Sequence, residues 1–138
     1  MTKHFFLKCS LSFFCGAVLL LVGTGCGPNK AKHEQLIRER HKQFVTALCQ
    51  DNFDGATAVV AAESKQNANA VKMAYGAIRL GIGIAKLTPD NFRLDTVTLD
   101  DKCLQATVTS STQTKGQWKA DNKPATWVWV GEQWFLKF

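Results

Sequence analysis

The stretch A-T-W-V-W-V-G-E-Q-W-F-L-K-F, residues 125–138, decides how this chain reads. Two short runs rich in Trp, Val and Phe flank Gly131-Glu132, and such side chains favour a pleated, half-buried surface. A glycine followed by one polar residue makes a two-residue hairpin turn. The turn fixes the register: Trp129 opposes Trp134, Val128 opposes Phe135, and Trp127 opposes Leu136. One face then carries Ala125, Trp127, Trp129, Trp134, Leu136 and Phe138. Those indoles supply the bulk of a core, so this face is expected to turn inward. Val128, Val130 and Phe135 fall on the other face.

Upstream, Asp101-Lys102 predicts a second turn that pairs Leu99 with Leu104, Val97 with Ala106 and Asp95 with Val108. The strand that follows reads as long, with Leu104, Ala106, Val108, Ser110, Thr112, Thr114, Gly116 and Trp118 on its inner stripe. A looser turn over 120–123 sets Trp118 against Ala125 and Gly116 against Trp127. Small side chains thus meet large ones, as a curved sheet of four antiparallel strands requires. Phe92 and Leu94 fall on the wrong parity for this register, and a bulge can break the pairing there.

Before residue 90 the apolar spacing is helical. A first helix is expected from about Lys32 to Gln50, with Ile37, His41, Phe44, Val45 and Leu48 on one face. Asp51-Asn52 caps a short second helix over about 54–62, and a third covers about 67–87 before Thr88-Pro89. Gly76, Gly81 and Gly83 weaken that third helix. A close-packed core helix accounts for them, with Lys72, Arg79 and Lys86 on its wet side; a glycine-spaced membrane or oligomer face is the other reading. Helices first and strands after give an α+β fold.

This arrangement resembles the nuclear transport factor 2-like superfamily. Two stretches carry the likeness: F-V-T-A-L-C-Q-D-N-F-D-G-A, residues 44–56, and W-V-W-V-G-E-Q-W-F-L-K-F, residues 127–138. The resemblance implies a domain over 34–138 in which a curved sheet wraps a helix as a cone and leaves a pocket at its mouth. Members include isomerases, dehydratases, small-molecule binders and assembly modules, so the fold alone does not fix a function. The family often pairs through the outer sheet face, which makes a homodimer through Val128, Val130 and Phe135 an expectation.

The other end of the chain reads as an address. Lys3 and Lys8 precede a stretch without charge from Cys9 to Asn29, centred on L-S-F-F-C-G-A-V-L-L-L-V, residues 11–22. A basic start, an apolar centre and a small-residue stop make a secretory signal. The stop, V-G-T-G-C at 22–26, resembles the lipobox of bacterial lipoproteins, with Gly23 where those boxes usually carry Leu. The resemblance implies removal of residues 1–25, acylation of Cys26 and a tether over 26–33. No Asp follows Cys26, which implies the outer membrane, facing the periplasm, in a Gram-negative envelope. An uncleaved membrane helix is the alternative; the basic residues at 30–42 would favour it, and signal-peptide grammar opposes it.

At 138 residues the chain has room for one domain. Losing Lys3 and Lys8 with the signal lowers the net charge from +6 to +4. Export and modest basicity argue against a nucleic-acid partner, although Lys115, Lys119, Lys123 and Lys137 interleave with aromatics. Alternating Lys is an ordinary guard of a solvent face. Cys49 and Cys103 remain as two thiols in an oxidising compartment; they either pair or sit as small buried hydrophobes. No metal-spaced His/Cys cluster, phosphate loop or nucleophile triad is present in the sequence, and no cofactor is expected.

Two constellations point at chemistry. His41 and Asp95 are the acid–base pair placed toward the cone, Asp95 as base and His41 as orienting or donor group. Their bland reading has Asp95 on an edge strand in solvent and His41 satisfied by a backbone carbonyl. Trp118, Trp127, Trp129 and Trp134 with Ser110, Thr112 and Thr114 form the second, suited to a sugar ring or an amphipathic metabolite. The expected function is a non-catalytic, envelope-anchored module that binds a small molecule or a protein. A small pocket enzyme of isomerase or dehydratase type and a structural assembly module are the alternatives.

Overall fold

A computed structural model describes residues 29–138 of the chain. The expected signal segment and Cys26 lie outside the described residues. Three helices come first: α1 (Lys30–Cys49), α2 (Phe53–Thr57) and α3 (Ala68–Ala85). Five strands follow: β1 (Phe92–Leu99), β2 (Gln105–Thr114), β3 (Gln117–Ala120), β4 (Ala125–Val130) and β5 (Gln133–Lys137). They form one antiparallel sheet in the order β1-β2-β4-β5, with β3 pairing β2 beyond the reach of β4. Among the described residues no helix is long and apolar enough to cross a membrane.

Each helix starts on an asparagine. Asn29, Asn52 and Asn67 accept from Lys32, Gly55 and Ala70 backbone N–H groups, satisfying donors that a helix start leaves free. The helix α1 begins two residues before the expected Lys32. The second helix is shorter than expected. After Thr57 the chain runs alongside β5, where Leu136 N–H donates to Val59 O and Ala61 N–H donates to Leu136 O, both at 2.8 Å. Arg40 reaches the same strand and donates to Trp134 O at 3.2 Å. Together they cover the otherwise open edge of β5.

The β4–β5 hairpin has the register read from the sequence, Trp129 against Trp134 and Trp127 against Leu136. Gly131 and Glu132 both take positive φ, 54° and 68°, the geometry of a type I′ turn. Trp127 and Trp134 are fully buried and pack with Ile37, Val59, Ala106, Val108 and Leu136 between sheet and α1. Phe138 is an exception to the inward stripe and lies exposed.

Three expectations for the sheet are corrected. The long strand breaks at Lys115-Gly116, where both residues take positive φ, so Trp118 folds back against Gln113 and the sheet has five strands. Trp127 therefore opposes Ala106 and Ala125 opposes Val108, not Gly116 and Trp118. The β1–β2 connection is also longer than two residues, because the Asp100 carboxylate accepts from Leu104 and Gln105 N–H groups. Leu99 thus opposes Ala106 and Val97 opposes Val108, a two-residue displacement that keeps Val97 and Leu99 on their expected face, whereas Leu104, expected on the inner stripe, lies exposed in the connection. A shift between Leu94 and Thr96 then returns Leu94 and Phe92 to the inner face, opposite Ser110 and Thr112.

The third helix also departs from expectation. It is not a close-packed core helix: Ile82 is its one buried residue. Met73, Leu80 and Ile84 are 75%, 66% and 75% exposed, and a Cβ built on Gly76, Gly81 or Gly83 meets nothing within 4 Å. Arg79 is not on the wet side. It turns inward and donates to Leu48 O at 2.7 Å and Cys49 O at 3.2 Å, closing the C-terminus of α1.

Candidate functional site

The curved sheet and the C-terminal half of α1 enclose a cavity of about 340 Å³. Helical spacing in α1 aims His41, Phe44, Val45 and Leu48 into it. The inner stripes of β1 and β2 supply Phe92, Leu94, Val108, Ser110 and Thr112, while β4 and β5 supply Ala125, Trp127 and Leu136. Ile78 of α3 closes one side and Asp121, from the β3–β4 connection, stands at the rim.

Most of this wall is apolar; its polar groups gather in one corner. Ser110 donates to Asp121 Oδ2, Thr112 Oγ1 donates to Asp121 Oδ1 at 3.4 Å, and Asp121 N–H donates to Ser110 O at 2.9 Å. His41 faces this corner from α1. Burial pushes its imidazole down from the ordinary 6.5 to about 4; the Asp121 carboxylate opposes that shift and the Arg38 guanidinium adds to it. At neutral pH the cavity therefore offers an uncharged ring able both to donate and to accept a hydrogen bond. A groove of about 400 Å³ shares His41, Val45, Phe92 and Leu94 with the cavity and is bounded by Trp118 and Arg93. The Arg93 guanidinium lies 4.3 Å from the centre of the Trp118 ring. A wider depression of about 690 Å³ lies on the outer flank between α1 and α2, among exposed side chains such as Glu39, Lys42 and Gln50.

The sequence-derived candidates separate into groups. His41 lines the cavity with Trp127 and Thr112. Asp95 does not line it. Asp95 sits at the bulge of the edge strand β1, where it accepts from Ser111 Oγ and from Arg93 Nε at 2.8 Å. The Ser111 hydroxyl and the Arg93 guanidinium hold its carboxyl below the usual range, which disfavours the base role expected of it. Trp129 and Trp134 pack against His33, with ring centres 4.7 and 5.7 Å away, at the other end of α1. Thr114 lies on β2 beside the β2–β3 turn, paired with Gln117. Cys49 and Cys103 are free thiols, Cys103 fully buried, so the disulfide is not formed. Among the described residues no group of His, Cys, Asp or Glu is arranged to hold a metal ion.

Asp121 is the cavity residue that sequence reasoning missed. Its signal was D-N-K-P, a turn-forming run placed opposite the polar stripe of Ser110 and Thr112. Only the fold-back of β3 brings that turn over the stripe.

No protein-family model matches the sequence, and neither does any curated protein. Among solved structures, one described as an NTF2-like transpeptidase from Campylobacter jejuni superposes with a TM-score of 0.54 at 7% identity. The likeness covers 76% of this chain and 96% of that one. At this identity the likeness is one of fold: helices followed by an antiparallel five-stranded sheet, arranged as a nuclear transport factor 2-like cone.

Proposed function

We propose that the protein is an exported, lipid-anchored module of the bacterial cell envelope whose cone binds one small amphipathic molecule without transforming it. The observation that carries the binding role is the cavity of about 340 Å³, apolar on most sides with Ser110, Thr112, Asp121 and His41 at one corner. Its size falls within the range of small-molecule sites, and a few convergent polar groups in an apolar wall orient a ligand. Phe44, Leu48, Val108 and Trp127 would take the apolar body; the polar corner would take a hydroxyl or amide. The anchoring role rests on the signal grammar of residues 1–26.

A non-catalytic role is favoured because Asp121 is engaged by two hydroxyls and His41 is neutral far below neutral pH. The second reading, a pocket enzyme, draws on the same pair: His41 and Asp121 share the cavity that His41 and Asp95 were expected to share.

Native mass spectrometry of the envelope-purified protein, followed by thermal-shift titration of whatever co-purifies, tests the proposal. Bound ligand at a hundredfold excess over Kd stabilises by about 2.7 kcal/mol. The shift is expected in wild type and lost in Ala125→Phe, which fills the cavity. No co-purifying molecule, and no shift with any amphipathic ligand tried, would remove the binding role. Turnover of the ligand that disappears in Asp121→Asn would establish the enzyme.

A further inference from the structure

We infer that the domain rests on the lipid surface through the end built by the start of α1, the β1–β2 loop and the β4–β5 turn, with Leu104 and Val130 entering the headgroup layer. The inference rests on the acylation of Cys26 proposed above. Only residues 27–29 separate Cys26 from the first residue of α1. Four residue steps reach at most about 14 Å, whereas α1 itself is about 30 Å long. A chain held at Cys26 therefore keeps the N-terminal end of α1 close to the bilayer, while the tether sets no such limit on the opposite end.

Three segments converge at that end. Lys30 Nζ pairs with Asp101 of the β1–β2 loop at 3.3 Å. His33 packs against Trp129, and Trp129 N–H donates to Leu104 O at 2.9 Å. These contacts leave two apolar side chains in the open at that end, Leu104 of the β1–β2 loop at 51% and Val130, the last residue of β4, at 59% exposure. Around them stand Lys30, Lys32 and Lys102, and also Asp100, Asp101 and Glu132. Those charges balance, so apolar insertion and not attraction to anionic lipid drives the contact. Two such side chains would not hold a free domain on a membrane. A tether this short makes their insertion intramolecular, and a weak contact then suffices.

The orientation has a consequence for the cavity. His41 and Leu48 lie about 16 and 27 Å further along α1 than Lys30. With that end seated on the lipid, the cavity and the open face of α3 point away from the bilayer that carries the anchor.

The test uses the full-length protein, purified acylated from the envelope and reconstituted in vesicles of phosphatidylethanolamine and phosphatidylglycerol. Lysines are modified with an impermeant amine-reactive reagent and read by mass spectrometry, which also reports the state of Cys26. In the double variant Leu104→Glu/Val130→Glu, Lys102 is expected to react at least fivefold faster than in wild type. Lys72 and Lys115 should react unchanged, which reports an intact fold, and the difference should persist in high salt. Acylated Cys26 with equal Lys102 rates would overturn the contact and leave the anchor standing. Protection found at Lys72 instead would place α3 on the membrane and overturn it too. An unmodified Cys26 would overturn both the contact and the anchor.

Discussion

The indole N–H of Trp134 donates to Nδ1 of His33 at 3.2 Å, fastening the last strand to the first turn of α1. The indole is fully buried, so its one donor needs a partner. His33→Ala strands that donor and removes the ring that stands edge-on to both Trp129 and Trp134. The expected loss is about 1–3 kcal/mol. Trp134→Ala should cost about 3–5 kcal/mol, because a cavity is added to the lost bond. Urea denaturation of the two variants checks both values, and an unchanged midpoint for His33→Ala would show that the bond contributes nothing.

His41 makes stability depend on pH in one direction. Its folded value, about 4, lies below the unfolded value of about 6.5. Between these the unfolded chain binds the extra proton, so stability rises with pH through that window. The contribution is complete above about pH 6.5 and is lost progressively as pH falls toward 4. Its size is of order 3 kcal/mol. His41→Leu should flatten the stability profile between pH 4 and 6.5, as measured by denaturant titration at several pH values. A profile as steep as that of wild type would assign the dependence to another group.

The closing hairpin was legible because glycine and the Trp/Val alternation agree on one register, and a slip by one residue would have turned Trp127 and Trp134 to solvent. The β1–β2 displacement was harmless for the same reason: moving by two residues preserves the faces. The break in β2 was hidden. Thr109 to Thr114 carries no apolar alternation whose phase could reverse, and a lysine in a left-handed conformation is a weak turn signal. That one missed turn also concealed Asp121, the one member of the polar corner that the sequence did not show. The reading of α3 failed differently. Its apolar residues and glycines fit a buried helix, but only the packing shows that Arg79 faces inward and Leu80 outward.

Asp95 should titrate as a structural carboxylate. The Ser111 hydroxyl is the first reason that its value is lowered, with Arg93 adding to the effect. Ser111→Ala is expected to raise its midpoint toward the ordinary aspartate range, and Arg93→Ala to do so less. The sign follows for stability: a lowered carboxylate favours the fold above its unfolded value, and that contribution is lost as pH falls through the folded one. Carbon-detected NMR titration of the side-chain carboxyl reads the midpoint directly. A wild-type value above the ordinary range would reverse this assignment and return Asp95 to the candidates for a base.

The glycines of α3 give the last prediction its sign. A methyl at Gly76, Gly81 or Gly83 meets no atom within 4 Å, so replacement by alanine introduces no clash. Glycine inside a helix is less favourable than alanine by about 1 kcal/mol. Gly76→Ala and Gly81→Ala should therefore each stabilise the isolated protein by about that amount, raising its melting temperature by roughly 4–8 °C. Calorimetry in dilute solution makes the measurement. The opposite sign would be informative in itself. A close-packed helix face loses contact when a methyl is forced into it, so destabilisation by alanine would mean that Met73, Leu80 and Ile84 are covered in the folded protein in solution.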